Sequence, residues 1–327
     1  MSAPASPRVV ALCGGVGGAK LALGLYRVLG PDALTVIVNT GDDFEHLGLH
    51  VSPDLDTVLY TLAGRADRER GWGRSDESWN FMSALAELGG EDWFRLGDRD
   101  LALHVLRTRW LRQGKPLSGF MAQAARRLGV RALILPMSDD PVRTMIDTAG
   151  GVLPFQRYFV ECRCEPAVRG ISFEGATMAR AAGEAIAALH SPETEAIVIC
   201  PSNPYLSIDP ILALSDLHTA LQAAPAPIVA VSPIIGGQAV KGPTAKIMAE
   251  LGIEASSAAI VAHYDGLMDG LLIDENDSTD APAIDLAVEV APTLMLDLAD
   301  REALARRVLD FARRLATSKP AQRRAIA

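Results

Sequence analysis

Five short apolar runs, Val9–Cys13, Leu34–Val38, Ala132–Leu135, Ala196–Cys200 and Ile228–Val231, recur between stretches with helical spacing. Several are continuous rather than alternating, which suits parallel strands buried on both faces. Helices are expected over Lys20–Leu29, Glu77–Leu88, Asp98–Arg112, Phe120–Leu128, Ala176–Leu189, Thr244–Leu251 and Ala299–Leu315. Regular strand–helix alternation predicts an α/β fold with a doubly wound, mainly parallel, Rossmann-like sheet. Its ligands belong at the carboxyl ends of the strands. Two stretches depart from that rhythm. Residues 50–128 read as a helical insertion that caps the site. Thr144–Thr148 and Gln156–Cys164 read as extended pieces of a small β-insert at about 144–168, broken at Gly150-Gly151 and Pro166. No linker or internal repeat divides the chain, so residues 1–327 are expected to form one domain. Ser318–Ala327 is polar and expected to fray.

The first run breaks into Gly14-Gly15-Val16-Gly17-Gly18-Ala19-Lys20. Glycines at 14, 15, 17 and 18 leave no side chain between the backbone N–H groups and a phosphate. The helix that follows points its partly positive end at the same place. The spacing is not that of a P-loop, and it fits the dinucleotide fingerprint only loosely. The second run ends in Asn39-Thr40-Gly41-Asp42-Asp43, and Ser52-Pro53-Asp54-Leu55-Asp56-Thr57 follows soon after. Four carboxylates so close to a phosphate cradle repel one another unless a hard cation, Mg²⁺, is shared with phosphate oxygens. The other use for Asp54 or Asp56 is to cap a helix over Thr57–Ala63.

Four more polar loops follow the same logic and are expected to converge on one crevice. They are Trp93–Asp100, Pro136–Pro141, Pro201–Pro204 and Ser232–Gly237, the last leading through Lys241-Gly242-Pro243 into a helix. Arg95, just before a glycine turn, can reach into a cleft, and Asp98 is placed to cap the next helix. His104 reads as a core histidine. The six histidines show no metal-binding spacing, and no serine or cysteine stands in a nucleophile elbow, so covalent catalysis is not expected.

Bulk properties remove other classes. The net charge of -9 and an aromatic content of 5% argue against nucleic-acid binding. No apolar stretch is long enough for a membrane span, and the polar lead from Met1 to Arg8 is no signal peptide. Four cysteines in a chain of this size do not make a disulfide framework, and Cys162-Arg163-Cys164 lacks a second metal-binding pair. A cytoplasmic protein with reduced thiols is expected.

Together these motifs resemble the 2-phospho-L-lactate transferase family of coenzyme F-420 biosynthesis. The likeness runs from Gly14-Gly15-Val16-Gly17-Gly18 to about Asp274 and includes Leu96–Asp100, Pro136–Val142, Pro201–Pro204 and Ser232–Gly237. The resemblance implies a guanosine diphosphate-linked three-carbon acid as donor. Its phospho-acid group passes to the ribityl hydroxyl of the deazaflavin alcohol Fo, and GMP leaves with Mg²⁺ assisting. It also implies that Asp56 and Arg95 contact the acceptor. Asp43 and Asp54 would hold the metal, with Asp43 also able to orient or deprotonate the attacking hydroxyl. Gly14 to Lys20 would hold the diphosphate, and Ser202 and Asn203 the nucleotide side. No motif selects among phospholactyl, phosphoenolpyruvyl and 3-phosphoglyceryl donors. A homodimer is implied too. The alternative is a regulatory branch of the same fold family that binds nucleotide sugars without catalysis.

Overall fold

A computed structural model describes residues 8–30, 32–67, 70–239 and 242–318. The polar N-terminal lead before Arg8, Lys241, and the tail expected to fray beyond Ser318 lie outside the described residues. Seven parallel strands form the central sheet: β1 (Arg8–Cys13), β2 (Leu34–Val38), β3 (Leu133–Pro136), β4 (Thr194–Ile199), β5 (Ile228–Val231), β6 (Gly270–Ile273) and β7 (Ala287–Val290). Their spatial order is β7-β6-β5-β4-β1-β2-β3, with every neighbouring pair parallel. This is the doubly wound order with a seventh strand added at one edge. The sequence reading found β1 to β5 and missed β6 and β7.

The continuous apolar runs have the expected consequence. Along β1, Val10 and Leu12 enter one core while Val9, Ala11 and Cys13 enter the other. Helices α1 (Gly15–Val28), α2 (Pro53–Leu62) and α5 (Leu117–Arg127) cover one face, through Leu21, Leu25, Leu55, Leu59, Phe120 and Met121. The long α10 (Leu298–Ser318) joins them through Leu304 and Val308. The opposite face is covered by α6 (Gly183–His190), α7 (Ser215–Gln222), α8 (Thr244–Glu250) and α9 (Ser257–His263).

Within residues 50–128, α2 and α5 therefore belong to the layers of the fold. The overhanging part is α3 (Asn80–Glu87) and α4 (Asp98–Arg112) with their loops. Their start sites are tied reciprocally. Asp98 does not cap its own helix. It accepts from the backbone N–H groups of Asn80 and Phe81 at the start of α3, and with the Ser78 hydroxyl this holds its carboxyl down at about 2. Glu77 returns the favour by accepting from the N–H groups of Arg99 and Asp100 in α4.

The β-insert is a three-stranded antiparallel sheet of Gly151–Pro154, Arg143–Thr148 and Val168–Glu174. Gln156–Cys164, expected to be extended, instead winds into a wide turn at Arg157–Glu161. Winding lets Phe155 and Phe159 stack while Tyr158 enters the core. The segment leaves that turn with positive φ at Arg163 and Cys164, so the two thiols are not on an extended strand.

Candidate active site

β1 and β4 lie side by side, but the chain leaves them for opposite wings of the sheet. A crevice therefore opens beyond their carboxyl ends. A cavity of about 610 Å³ fills it, lined by Gly14 to Gly17 on one side and Pro201 to Asn203 on the other. The two loops are pinned together. The Gly14 N–H donates to Ser202 Oγ at 3.1 Å, and that hydroxyl donates back to the Gly14 carbonyl at 2.8 Å. A Cβ on Gly17 would stand 2.5 Å from the Pro201 carbonyl oxygen, so only glycine permits this approach. Helix α1 begins at Gly15, five residues earlier than the sequence suggested, directly on the glycine run.

The acids gather behind this cradle. Neither Asp54 nor Asp56 caps a helix, because α2 starts at Pro53 and both lie inside its first turn. Asp54 accepts from the Gly15 N–H at 2.6 Å and from the Asn39 amide at 2.9 Å. Burial nevertheless raises its carboxyl to about 6, with the nearby Asp43 charge adding to the push. Asp42, bound by the Gln156 amide at 3.2 Å, is driven well above the carboxylate range by burial and by Asp54 and Asp43. Asp43 Oδ2 accepts from the Ser52 hydroxyl at 2.7 Å and faces His50 Nε2 at 3.1 Å, while its Oδ1 is buried without a partner. The short hairpin Phe44–His46 and Leu49–Val51 returns the chain so that Asp43 and Asp54 meet.

Asp56 opens a second polar group. Its carboxylate takes both arms of the Arg107 guanidinium, at 3.1 and 2.5 Å. Burial raises it to about 6 despite the lowering influence of Arg107 and His104. His104 Nδ1 lies 3.8 Å from Asp56, and its Nε2 lies 3.2 Å from Asp100. Tyr60 donates to the other Asp100 oxygen at 2.5 Å. His104 is thus set between carboxylates and lines the cavity, not an apolar core. Asp56, Asp100 and His104 each bring one ligand atom within 4.8 Å of the others.

The remaining expected residues are placed as follows. Lys20 lines the cavity with its ammonium donating to the Met295 carbonyl at 2.7 Å. Arg95 lines the far wall and stacks over Trp79, 4.3 Å from the ring centroid. Asn203 Oδ1 accepts from the N–H groups of Tyr205 and Leu206, which fixes the turn carrying Ser207. Gly18 lies under the cradle, where a Cβ would meet Ser202 Oγ and Cys13 Sγ. Ser232 and Pro233 also line the cavity. The Pro136–Pro141 loop does not join the other loops. Asp139 instead accepts from the Ser118 N–H and hydroxyl at the start of α5. Sequence reasoning placed Asn39 and Asp100 in site segments without giving them a role, and it missed Tyr60, Arg107 and Gln156.

Among the described residues no helix is long and apolar enough to cross a membrane. A family model described as 2-phospho-L-lactate transferase CofD matches residues 9–311. A phosphoenolpyruvate transferase of Kitasatospora aureofaciens is 41% identical over 315 residues, covering 93% of this chain and 98% of the relative. A 2-phospho-L-lactate transferase of Methanosarcina mazei is 40% identical over 272 residues, covering 83% and 88%. A solved UPF0052-family protein of Bacillus halodurans shares the fold, with a TM-score of 0.65 at 16% identity over 94% of this chain and all of that one. The chain belongs to the 2-phospho-L-lactate transferase CofD family.

Proposed function

We propose that this protein transfers a phospho-acid group from a GDP-linked donor to the terminal ribityl hydroxyl of Fo, in coenzyme F-420 biosynthesis. The observation that carries the reading is one cavity lined by both a glycine cradle at a helix start and a buried cluster of carboxylates. Family membership supports the same class of transfer. Phosphoryl transfer depends on positioning and charge neutralisation more than on a protein nucleophile, and none is needed here.

In this reading the helix start is the diphosphate site. Protein acceptors already hold the Gly14 and Gly15 N–H groups, so those of Val16 and Gly17 face the donor. Lys20 lies one turn further along the same helix. The Fo hydroxyl oxygen attacks the phosphorus that carries the acid, the bond to the GMP oxygen breaks, and GMP departs. The hydroxyl proton passes to a carboxylate, with Asp43 as the acceptor and Asp56 orienting the alcohol. Arg95 borders the acceptor end, while Ser202 and Asn203 shape the nucleotide side. The donor set suits a hard cation, because Asp43 Oδ1 is buried without a partner beside carboxyls that burial and mutual repulsion push upward. Asp43 and Asp54 would hold Mg²⁺, which when bound supplies neutralising charge for the diphosphate. Mass spectrometry on reactions offering Fo with each of the three guanylated donors tests the proposal. Formation of a phosphodiester of Fo together with GMP is expected from at least one donor, and its absence from all three would sink the idea.

A further inference from the structure

Helix α4 buries the wrong residues for a helix that merely packs. Its outward side carries Val105 and Leu106, 50% and 58% exposed, while His104 and Arg107 are 1% and 0% exposed. Asp100, His104 and Arg107 are spaced four and three residues apart, which puts them on one face. That face meets Asp56 and Tyr60, one turn apart on α2. The result is a polar seam joining an overhanging helix to a helix of the main fold, and it ends in the cavity.

Each member of the seam directs the next. The Arg107 fork sets the plane of the Asp56 carboxylate through two parallel hydrogen bonds, and the Phe120 ring beneath the guanidinium steadies it at 5.7 Å. His104 stands between Asp56 and Asp100, with its Nε2 3.2 Å from Asp100 and its Nδ1 3.8 Å from Asp56, and so spaces the two carboxylates. Tyr60 fixes Asp100 from the other side. We propose that Arg107 and His104 are positioning residues of the transfer, holding Asp56 in the orientation that meets the acceptor hydroxyl. This rests on the acceptor contact proposed for Asp56 and extends it to two residues that need not touch either substrate.

A cation held by Asp56, Asp100 and His104 is the competing use of the seam. Arg107 speaks against it, because its guanidinium, bound to both Asp56 oxygens, sets a fixed positive charge beside the site that repels a metal ion.

Arg107→Lys separates the possibilities, since it keeps the charge but replaces a rigid fork with a single point donor. Steady-state kinetics should show kcat/KM for the acceptor lowered roughly ten- to hundredfold by misplacement of the reacting group. The donor KM should stay within about twofold, because uniform binding of the donor is untouched. Thermal melting confirms that the variant is folded. His104→Gln, the second variant, should shift the same acceptor parameter in the same direction and leave the number of Mn²⁺ ions bound, read by electron paramagnetic resonance, unchanged. Folded Arg107→Lys with wild-type kinetics, or with the donor KM raised as much as the acceptor KM, overturns the inference. So does a Mn²⁺ site that disappears with His104. A wild-type protein that transfers nothing to Fo overturns the functional reading itself, which is a distinct result.

Discussion

Replacing Gly18 by alanine sets two effects of opposite sign against each other. Gly18 lies in the first turns of α1, where alanine gains about 1 kcal/mol of helix propensity over glycine. Against this, the new Cβ would stand 2.4 Å from Ser202 Oγ and 2.8 Å from Cys13 Sγ. Cys13 is locked at the end of β1, so the serine must swing away. Its hydroxyl then abandons the Gly14 N–H and carbonyl, at about 1–3 kcal/mol for each buried polar group left unpaired. Residual crowding against Cys13 adds about 1–3 kcal/mol. The clash wins, and a net loss of about 2–8 kcal/mol is expected. With an unfolding entropy of about 2.1 cal/mol/K per residue, that lowers Tm by roughly 3–12 °C. Calorimetric melting reads the stability, and titration with GDP should show weaker binding because the loop that presents the phosphate donors has lost its anchor. Gly183→Ala, with nothing within 4 Å of a Cβ, is the control and should not lower Tm. A Gly18→Ala protein that melts at or above the wild-type temperature would refute the argument, since helix propensity alone would then have decided the outcome.

Asp43→Asn should reduce turnover at least about a hundredfold while leaving the circular dichroism spectrum unchanged, as expected for a group acting on the reacting proton. Undiminished turnover would remove Asp43 from the site. For pH, Asp54 is raised from 3.8 to about 6, so its contribution to stability is fully present below 3.8 and is lost as pH rises through about 6. Denaturant unfolding of the wild type and of Asp54→Asn, compared across that window, should therefore shift in favour of the variant as pH rises. A difference that stays flat would contradict the burial argument.

Five strands were legible as continuous apolar runs, because burial on both faces erases alternation, but β6 (Gly270-Leu271-Leu272-Ile273), buried throughout, was passed over although it meets the same criterion. β7 failed that criterion, since Ala287-Val288-Glu289-Val290 carries a charge at the sheet edge. Gln156–Cys164 misled because its aromatic and β-branched residues favour strands, yet stacking of Phe155 on Phe159 requires a wound segment. In the site, the glycine loop and its acids were visible because unusual residues were crowded together. Arg107 was not, because an ionisable residue on a helix with no apolar stripe reads as solvated. The readable signal was the spacing of Asp100, His104 and Arg107, four and three residues apart, which puts three polar groups on one helix face. Asp139 shows the opposite error, where an acid in a polar loop after a strand holds the start of α5 and does not line the cavity.

The hydroxyl that braces Gly14 belongs to a residue 188 positions downstream. At about 5–20 residues per second, ribosomal synthesis separates the two by roughly 10–40 s. During that interval the glycine loop exists as a sequence but not as a cradle, since β4 has not yet been made to lie beside β1. If the glycine loop holds the donor diphosphate as proposed, the nascent chain has no finished phosphate site until β4 is in place, and a half-made sheet does not capture nucleotide. Binding competence arrives late, with closure of the longest-range contacts, and so reports on completion of the fold itself.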